Sequence, residues 1–282
     1  MGLQFFRQPE NIFSESSPMS TLNPALNTVF KAARKAGDFM IRASANLSNI
    51  KIDNKAFNDF VSDVDRQAEA ILVNAIQEAY PHHKIICEES GTIGNEHAEF
   101  EWIIDPLDGT TNYLHGHPQY AISMALLEKG VLKEALVYAP ERNDLYTASR
   151  GQGALLNDRR IRVSNRFDLP NCLIGTGFPV VNQSMMETYW AILREFLEKT
   201  AGARREGAAA LDLCALAAGR FDGFFEFNLK PWDIAAGALI VQEAGGIVTD
   251  FNGEQDWLRT GNIVAANPKM LAQMLKIIGK HI

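Results

Sequence analysis

Trp102-Ile103-Ile104-Asp105-Pro106-Leu107-Asp108-Gly109-Thr110-Thr111-Asn112 carries the deciding pattern of this chain. Its apolar start reads as a buried strand. The strand runs directly into an expected turn bearing two carboxylates three residues apart. Pro106 fixes the first dihedral of that turn, and Gly109 permits a sharp reversal or the close approach of a ligand. Gly109-Thr110-Thr111 can open a short helix whose free N–H groups and hydroxyls face outward, an arrangement that binds anions. Carboxylates for a cation thus stand beside amides for a phosphate. An isolated Asp-x-x-Asp is usually a capped turn, with Asp108 as N-cap and Asp105 as turn former. The whole string Asp-Pro-Leu-Asp-Gly-Thr-Thr is far more specific.

Other acidic elements lie on either side of it. Glu88-Glu89-Ser90 ends the β-rich run Lys84–Cys87 and, alone, would read as a solvated loop. Asp233, in Lys230-Pro231-Trp232-Asp233, falls in the first turn of a helix, where the macrodipole already favours an acid. Asp65, in Ser62-Asp63-Val64-Asp65, fits a capping box before an apolar helix. Each of these acids, taken alone, has such a structural reading, and each offers oxygen donors of the kind that suits a hard cation such as Mg²⁺ rather than zinc.

Outward from these blocks, apolar spacing sets out the elements. Leu26, Val29, Phe30, Ala33, Gly37, Met40 and Ile41 mark one amphipathic helix. Val64, Ala68, Ile71, Leu72, Ala75, Ile76 and Ala79 mark a second, with Ser62 as N-cap and Pro81 beyond its end. Tyr120–Glu128 and Val131–Tyr138 read as a hairpin about Lys129-Gly130, and Leu145–Ala148 and Ala154–Leu156 extend the antiparallel pattern. The second half alternates strands at Cys172–Gly175, Phe224–Phe227 and Ile263–Ala266 with helices. One helix is expected to pack Met186, Tyr189, Trp190, Leu193, Phe196 and Leu197 inward. Others run over Ala208–Ala218, Ile234–Glu243 and from Pro268 to Ile278. The expected fold is a layered α/β (α+β) domain over 21–282, with lobes of about 21–150 and 151–282. It has a larger antiparallel sheet first and a smaller mixed one second. Residues 1–20 read as an irregular extension.

Composition narrows the function classes. The chain has 282 residues, 46% hydrophobic and 22% charged, which excludes disordered, collagen-like and coiled-coil classes. Its 27 basic and 34 acidic residues leave a net charge of −7, so no global field draws it to nucleic acid or anionic lipid. Cys87, Cys172 and Cys214 have no Cys-x-x-Cys spacing and read as reduced thiols of a cytoplasmic protein. No apolar run nears the ~18–20 residues needed to span a bilayer. His115 and His117 read as rim residues, Arg159-Arg160-Ile161-Arg162 as a solvated turn, and Arg204-Arg205 as ion-pair or interface residues. Trp102 and Trp232 read as core residues that position the neighbouring acids.

The chain resembles the lithium-sensitive, Mg²⁺-dependent phosphatases of the inositol monophosphatase family, in its bacterial branch. The resemblance rests on Asp59–Asp65 (DFVSDVD), Glu88–Ser90 (EES), Trp102–Asn112 (WIIDPLDGTTN) and Trp232–Gly246 (WDIAAGALIVQEAGG), and it extends over about 21–282. It implies an αβαβα sandwich and two or three Mg²⁺ per site. Glu88, Asp105 and the Leu107 carbonyl would hold one ion; Asp105, Asp108 and Asp233 would hold a second; Glu88 would also reach a third. Thr110 would orient the attacking water, with Asp65 polarising the Thr110 hydroxyl. The amides of Gly109 and Thr110 would hold phosphate oxygens. Asp108, Ala209, Asp233 and Glu226 would line the substrate, with Glu226 meeting one of its hydroxyls. The implied substrate is a small phosphomonoester, myo-inositol 1-phosphate foremost. A nucleotide, fructose 1,6-bisphosphate or histidinol phosphate is the alternative. A homodimer is implied, and so is a possible second role as a partner of the transcription machinery. One departure stands out: Ala208 occupies a position where the family usually carries Ser or Thr.

Overall fold

The computed structural model describes residues 23–45, 52–56, 59–179 and 183–282; the extension read over 1–20 lies outside them. The chain first runs through α1 (Pro24–Ser44), a hairpin of β1 (Ile52–Ala56) and β2 (Asp59–Ser62), and α2 (Asp63–Ala79). Then follow β3 (Lys84–Cys87), β4 (Gly91–Ile93), β5 (Phe100–Asp108) and the short α3 (Thr110–Leu114). A meander of β6 (Ala121–Glu128), β7 (Val131–Ala139), β8 (Asp144–Ser149), β9 (Gly153–Leu156) and β10 (Arg159–Arg160) completes the first part. The remainder is β11 (Leu173–Thr176), α4 (Met186–Lys199), β12 (Gly202–Arg204), α5 (Ala209–Ala217), β13 (Gly223–Glu226) and α6 (Pro231–Glu243). It ends with β14 (Ile247–Thr249), α7 (Trp257–Thr260), β15 (Ile263–Ala266) and α8 (Pro268–Ile278).

Two sheets organise these elements. The larger has eight strands in the order β10-β9-β8-β7-β6-β5-β3-β4, and all its pairings are antiparallel except β3 with β5. The smaller has five in the order β12-β11-β13-β15-β14, parallel about β11 and antiparallel about β15. The β6–β7 turn places Lys129 at φ 51° and Gly130 at φ 76°, the two left-handed residues that a tight hairpin of this twist needs.

Alternation along the strands creates the layers. Trp102, Ile104, Ile122, Met124 and Leu136 point to one side and pack against Leu26, Met40, Leu72 and Ile76 of α1 and α2. Ile103, Ala125, Ala135, Val137 and Tyr146 point to the other and meet α5 and α6. Phe224 and Ala265 of the small sheet close on the same two helices. Phe225, Val264 and Ala266 face outward onto Tyr189 and Phe196 of α4 and Met270 and Met274 of α8. The order is therefore helices, sheet, helices, sheet, helices. A helix that is apolar all round has to be buried all round. Ile234 to Val241 of α6 are all buried, as the middle layer requires.

Helix boundaries follow capping chemistry. Asn23 accepts the Ala25 N–H at 2.9 Å ahead of Pro24, and Asn267 accepts the Lys269 and Met270 N–H groups ahead of Pro268. Two expectations need correction. Trp190 and Leu197 of α4 are 45% and 52% exposed, because the small sheet engages only the Tyr189–Ile192–Phe196 side of that helix. Residues 105–108 do not leave the strand as a turn, but stay in β5. Among the described residues no helix is long and apolar enough to cross a membrane.

Candidate active site

The irregularity in β5 creates the acidic pair. Asp105 lies opposite Ser123 and Asp108 opposite Ala121, so Pro106 and Leu107 together face Ile122. Two residues against one is a β-bulge. In a regular strand, residues three apart point to opposite faces. The extra residue shifts the phase by one, and both carboxylates turn toward the helices of the middle layer. Pro106 has no N–H to withdraw from the ladder. The Leu107 N–H turns instead to Asp105 Oδ1 at 2.9 Å.

Several helix starts converge on this bulge. Asp65, the third residue of α2, is fully buried. Thr110 Oγ1 lies 3.0 Å from Asp65 Oδ1 and 3.1 Å from the Leu107 carbonyl. Its single proton serves one of them at a time. Gly109 precedes α3 at φ 94°, and a Cβ there would come within 2.8 Å of the Gln119 carbonyl, so glycine is required twice over. Asp108 Oδ2 accepts the Ala210 N–H at 2.8 Å. Ala208, at the N-cap of α5, supplies no side-chain bond, so Asp108 caps that helix from another strand. Asp233 caps its own helix, accepting the Lys230 N–H at 2.7 Å.

Two supporting groups escape a reading of the sequence. Glu69, one turn after Asp65, is 5% exposed and accepts the N–H groups of Glu89 and Ser90 at 2.9 and 3.0 Å. It thereby fixes the turn that presents Glu88. The available signal was spacing, since Asp65 and Glu69 share a helix face with Leu72 and Ile76. Asn112 donates to the carbonyls of Gln119 and Glu206, and Gln119 is held between Glu206 and Arg142. This network ties α3 to the loop before α5.

The cluster carries more negative charge than its burial favours. Burial foremost, then Glu88, Asp108 and Asp233, raises the Asp105 carboxyl well above its ordinary range. Asp108 is raised by burial and then by Asp233, against the Ala210 N–H. Glu226 is pushed up to about 8 by burial and Asp233, with Arg205 opposing. Such a set fits hard cations, because every donor is an oxygen and the shifts express a deficit of positive charge. Among the described residues no three acidic, histidine or cysteine side chains already close round one point.

Beside the carboxylates lies a cavity of about 160 Å³, lined among others by Asp108, Gly177, Arg205, Ala209, Glu226 and Asp233. A Cβ on Gly177 would overlap the Glu226 carboxylate, so this glycine makes room for it. Arg205 holds its guanidinium 5.2 Å from the Phe178 ring centre and lines this cavity, a position that the sequence reading did not assign to it. His115 and His117 are exposed, Trp102 is fully buried and Trp232 is half-buried.

The match to known proteins follows this frame. A model of the inositol monophosphatase family matches residues 21–282. The chain belongs to the inositol monophosphatase family. A SuhB protein of Neisseria meningitidis serogroup B is 78% identical over 261 residues, 93% of this chain and 100% of its own. The Nus factor SuhB of Pseudomonas aeruginosa is 48% identical over 265 residues, 93% of this chain and 98% of its own. The solved inositol monophosphatase from Anabaena (Nostoc) superposes with a TM-score of 0.80 at 34% identity, covering 92% of this chain and 96% of that one. Inositol monophosphatase family members are generally Mg²⁺-dependent.

Proposed function

We propose that this protein is a Mg²⁺-dependent phosphatase for a small phosphomonoester, with myo-inositol 1-phosphate as its preferred substrate. The observation that carries the reading is the buried all-oxygen cluster of Asp105 and Asp108, electrostatically joined to Glu88 and Asp233 and bordered by the Glu226 cavity. Glu88, Asp105 and the Leu107 carbonyl would hold one Mg²⁺, Asp105, Asp108 and Asp233 a second, and Glu88 would reach a third. When bound, these ions supply positive charge for the phosphate and ease deprotonation of a water. The protein's own groups do the rest. Thr110 donates its hydroxyl hydrogen bond to Asp65, which leaves the Oγ1 lone pairs to accept from and orient the attacking water. The amides of Gly109 and Thr110 hold phosphate oxygens. Ala209 packs along the substrate, and Glu226 accepts a hydrogen bond from its alcohol portion. Ala208 brings no hydroxyl, so selection for the alcohol falls to the acids of the cavity. Turnover of a panel of phosphomonoesters, with and without Mg²⁺, tests the reading. Activity that is lost in EDTA, restored by Mg²⁺ and inhibited by Li⁺ is the expected result; undiminished activity in excess EDTA refutes it.

The names of the relatives favour a second role, as a protein partner of the transcription machinery. One at 48% identity is called a Nus factor. A net charge of −7 favours a protein contact over direct binding to nucleic acid. Capture of transcription proteins by a catalytically silent Asp108→Asn variant would separate this role from hydrolysis. A homodimer belongs to the same proposal, and light scattering at micromolar concentration decides it.

A further inference from the structure

Helix α5 is buried along its whole length, and Asp212 is the one charged residue in Ala209-Ala210-Leu211-Asp212-Leu213-Cys214-Ala215-Leu216-Ala217. Asp212 is 1% exposed, and its Oδ1 has no hydrogen-bond partner among the described residues. Burial and the charges of Glu226, Glu206 and Asp108 all act against its ionised form, and Arg205 alone favours it. An unpaired buried acceptor in such a field is a standing liability, which a leucine at this position would remove. Packing therefore does not account for it.

Its position does. Asp212 lines the same cavity as Glu226, Ala209 and Arg205. It lies four residues after Ala208, on the same side of the helix and one turn deeper. A carboxyl rotates about its terminal torsion with little restriction, so either oxygen can be presented to the cavity. Of the four carboxyl groups on this small cavity, Asp108 and Asp233 are assigned to metal in the proposed mechanism, and the other two, Asp212 and Glu226, match a ligand that offers several hydroxyl donors.

We propose that Asp212 is a specificity-determining residue, whose carboxyl group accepts a hydrogen bond from a hydroxyl of a polyol phosphate while Glu226 accepts from another. The inference rests on the reading that this cavity receives the alcohol portion of the substrate.

The test uses the full chain with Mg²⁺. It compares wild type, Asp212→Leu and Asp212→Asn on myo-inositol 1-phosphate and on phenyl phosphate, which has no free alcohol hydroxyl. Asp212→Leu is expected to melt at the same or a higher temperature and to keep kcat/KM for phenyl phosphate within about twofold. It is expected to lose about three- to tenfold in kcat/KM for the inositol ester, chiefly through KM, the scale of one hydrogen bond to a neutral carboxyl group. Asp212→Asn, which keeps an acceptor, is expected to recover part of that loss. Equal losses on both substrates would make Asp212 a structural support, and no loss on either would make it a bystander; each overturns the proposal. If the leucine variant fails to fold, Asp212→Ala takes its place, and an unchanged substrate ratio in that variant overturns the proposal. Wild-type protein that hydrolyses neither ester would overturn the phosphatase reading as well, whereas intact wild-type preference with unmoved variants removes only Asp212.

Discussion

Asp108 does two jobs with one carboxylate. One oxygen caps α5 through the Ala210 N–H, and the group as a whole belongs to the acidic cluster. Asp108→Asn keeps an acceptor for that N–H but removes the charge. The expected result is a folded protein whose kcat falls ~10²–10³-fold, since electrostatic groups of this kind are often worth ~3–4 kcal/mol. Near-normal turnover at saturating Mg²⁺ would contradict it. Glu226 acts on a different part of the substrate. Glu226→Gln should lose about 1–3 kcal/mol of preference for inositol 1-phosphate and leave an aryl phosphate nearly untouched; kcat/KM for both esters in both proteins measures this. At this scale the sequence was informative where chemistry is compact. Asp105, Asp108 and Thr110 stand in one legible string. Glu69 and Asp212 were not legible, because a glutamate or an aspartate within a helix looks like any solvated acid until its burial is known. Arg205 was read from its neighbour Arg204, while the Phe178 ring that steadies it is distant in sequence.

Among the elements, the turn that presents Glu88 draws two of its backbone hydrogen bonds from one side chain, Glu69. Removing the Glu69 carboxylate leaves the N–H groups of Glu89 and Ser90 without their acceptor. Glu69→Ala should cost about 1–3 kcal/mol of stability and slow turnover, although residue 69 touches no substrate in the proposed mechanism. Urea melts beside kcat measurements check this; full activity with a lowered midpoint would mean that Glu88 holds its place unaided. Most elements could be read from apolar period alone, and β3 and α8 agree with their expected bounds. The β5 bulge could not, because Asp-Pro-Leu-Asp looks like a turn when the partner strand is unknown. Only the pairing of Asp105 with Ser123 and Asp108 with Ala121 distinguishes the two. Strand β14 and the short α7 were missed, since their few residues carry no period. The exposed Trp190 and Leu197 misled the reading of α4, as apolar side chains at helical spacing do not reveal which flank finds a neighbour.

For the molecule as a whole, the unbalanced acids make stability depend on pH and on cations. In metal-free protein, the folded state holds the Glu226 proton up to pH about 8, against an ordinary value of 4.5. The folded state thus binds the extra proton between these values. Its contribution is full below about pH 4.5 and is lost as pH rises through 8. Asp105, Asp108 and Asp212 are raised in the same sense. The melting temperature in EDTA should therefore fall from pH 6 to pH 9, and saturating Mg²⁺ should flatten the slope; a flat profile without metal would contradict the electrostatic account. The five-layer order is implied by the family resemblance, whereas apolar spacing alone reaches only a layered α/β domain. Which sheet each helix would cover was not legible, since that depends on contacts between distant segments.

The middle layer also has a bearing on how the chain is made. The large sheet is complete once Arg160 has been synthesised, but α6, which covers much of its inner face, begins only at Pro231. At ~5–20 residues per second, a ribosome needs several seconds to supply that cover. Until α5 and then α6 are made, Ile103, Ala125, Val137 and Tyr146 lack the helices that cover them in the folded protein. Transiently exposed apolar surface of this kind is what makes nascent chains prone to aggregate, and here the risk ends only when α6 arrives.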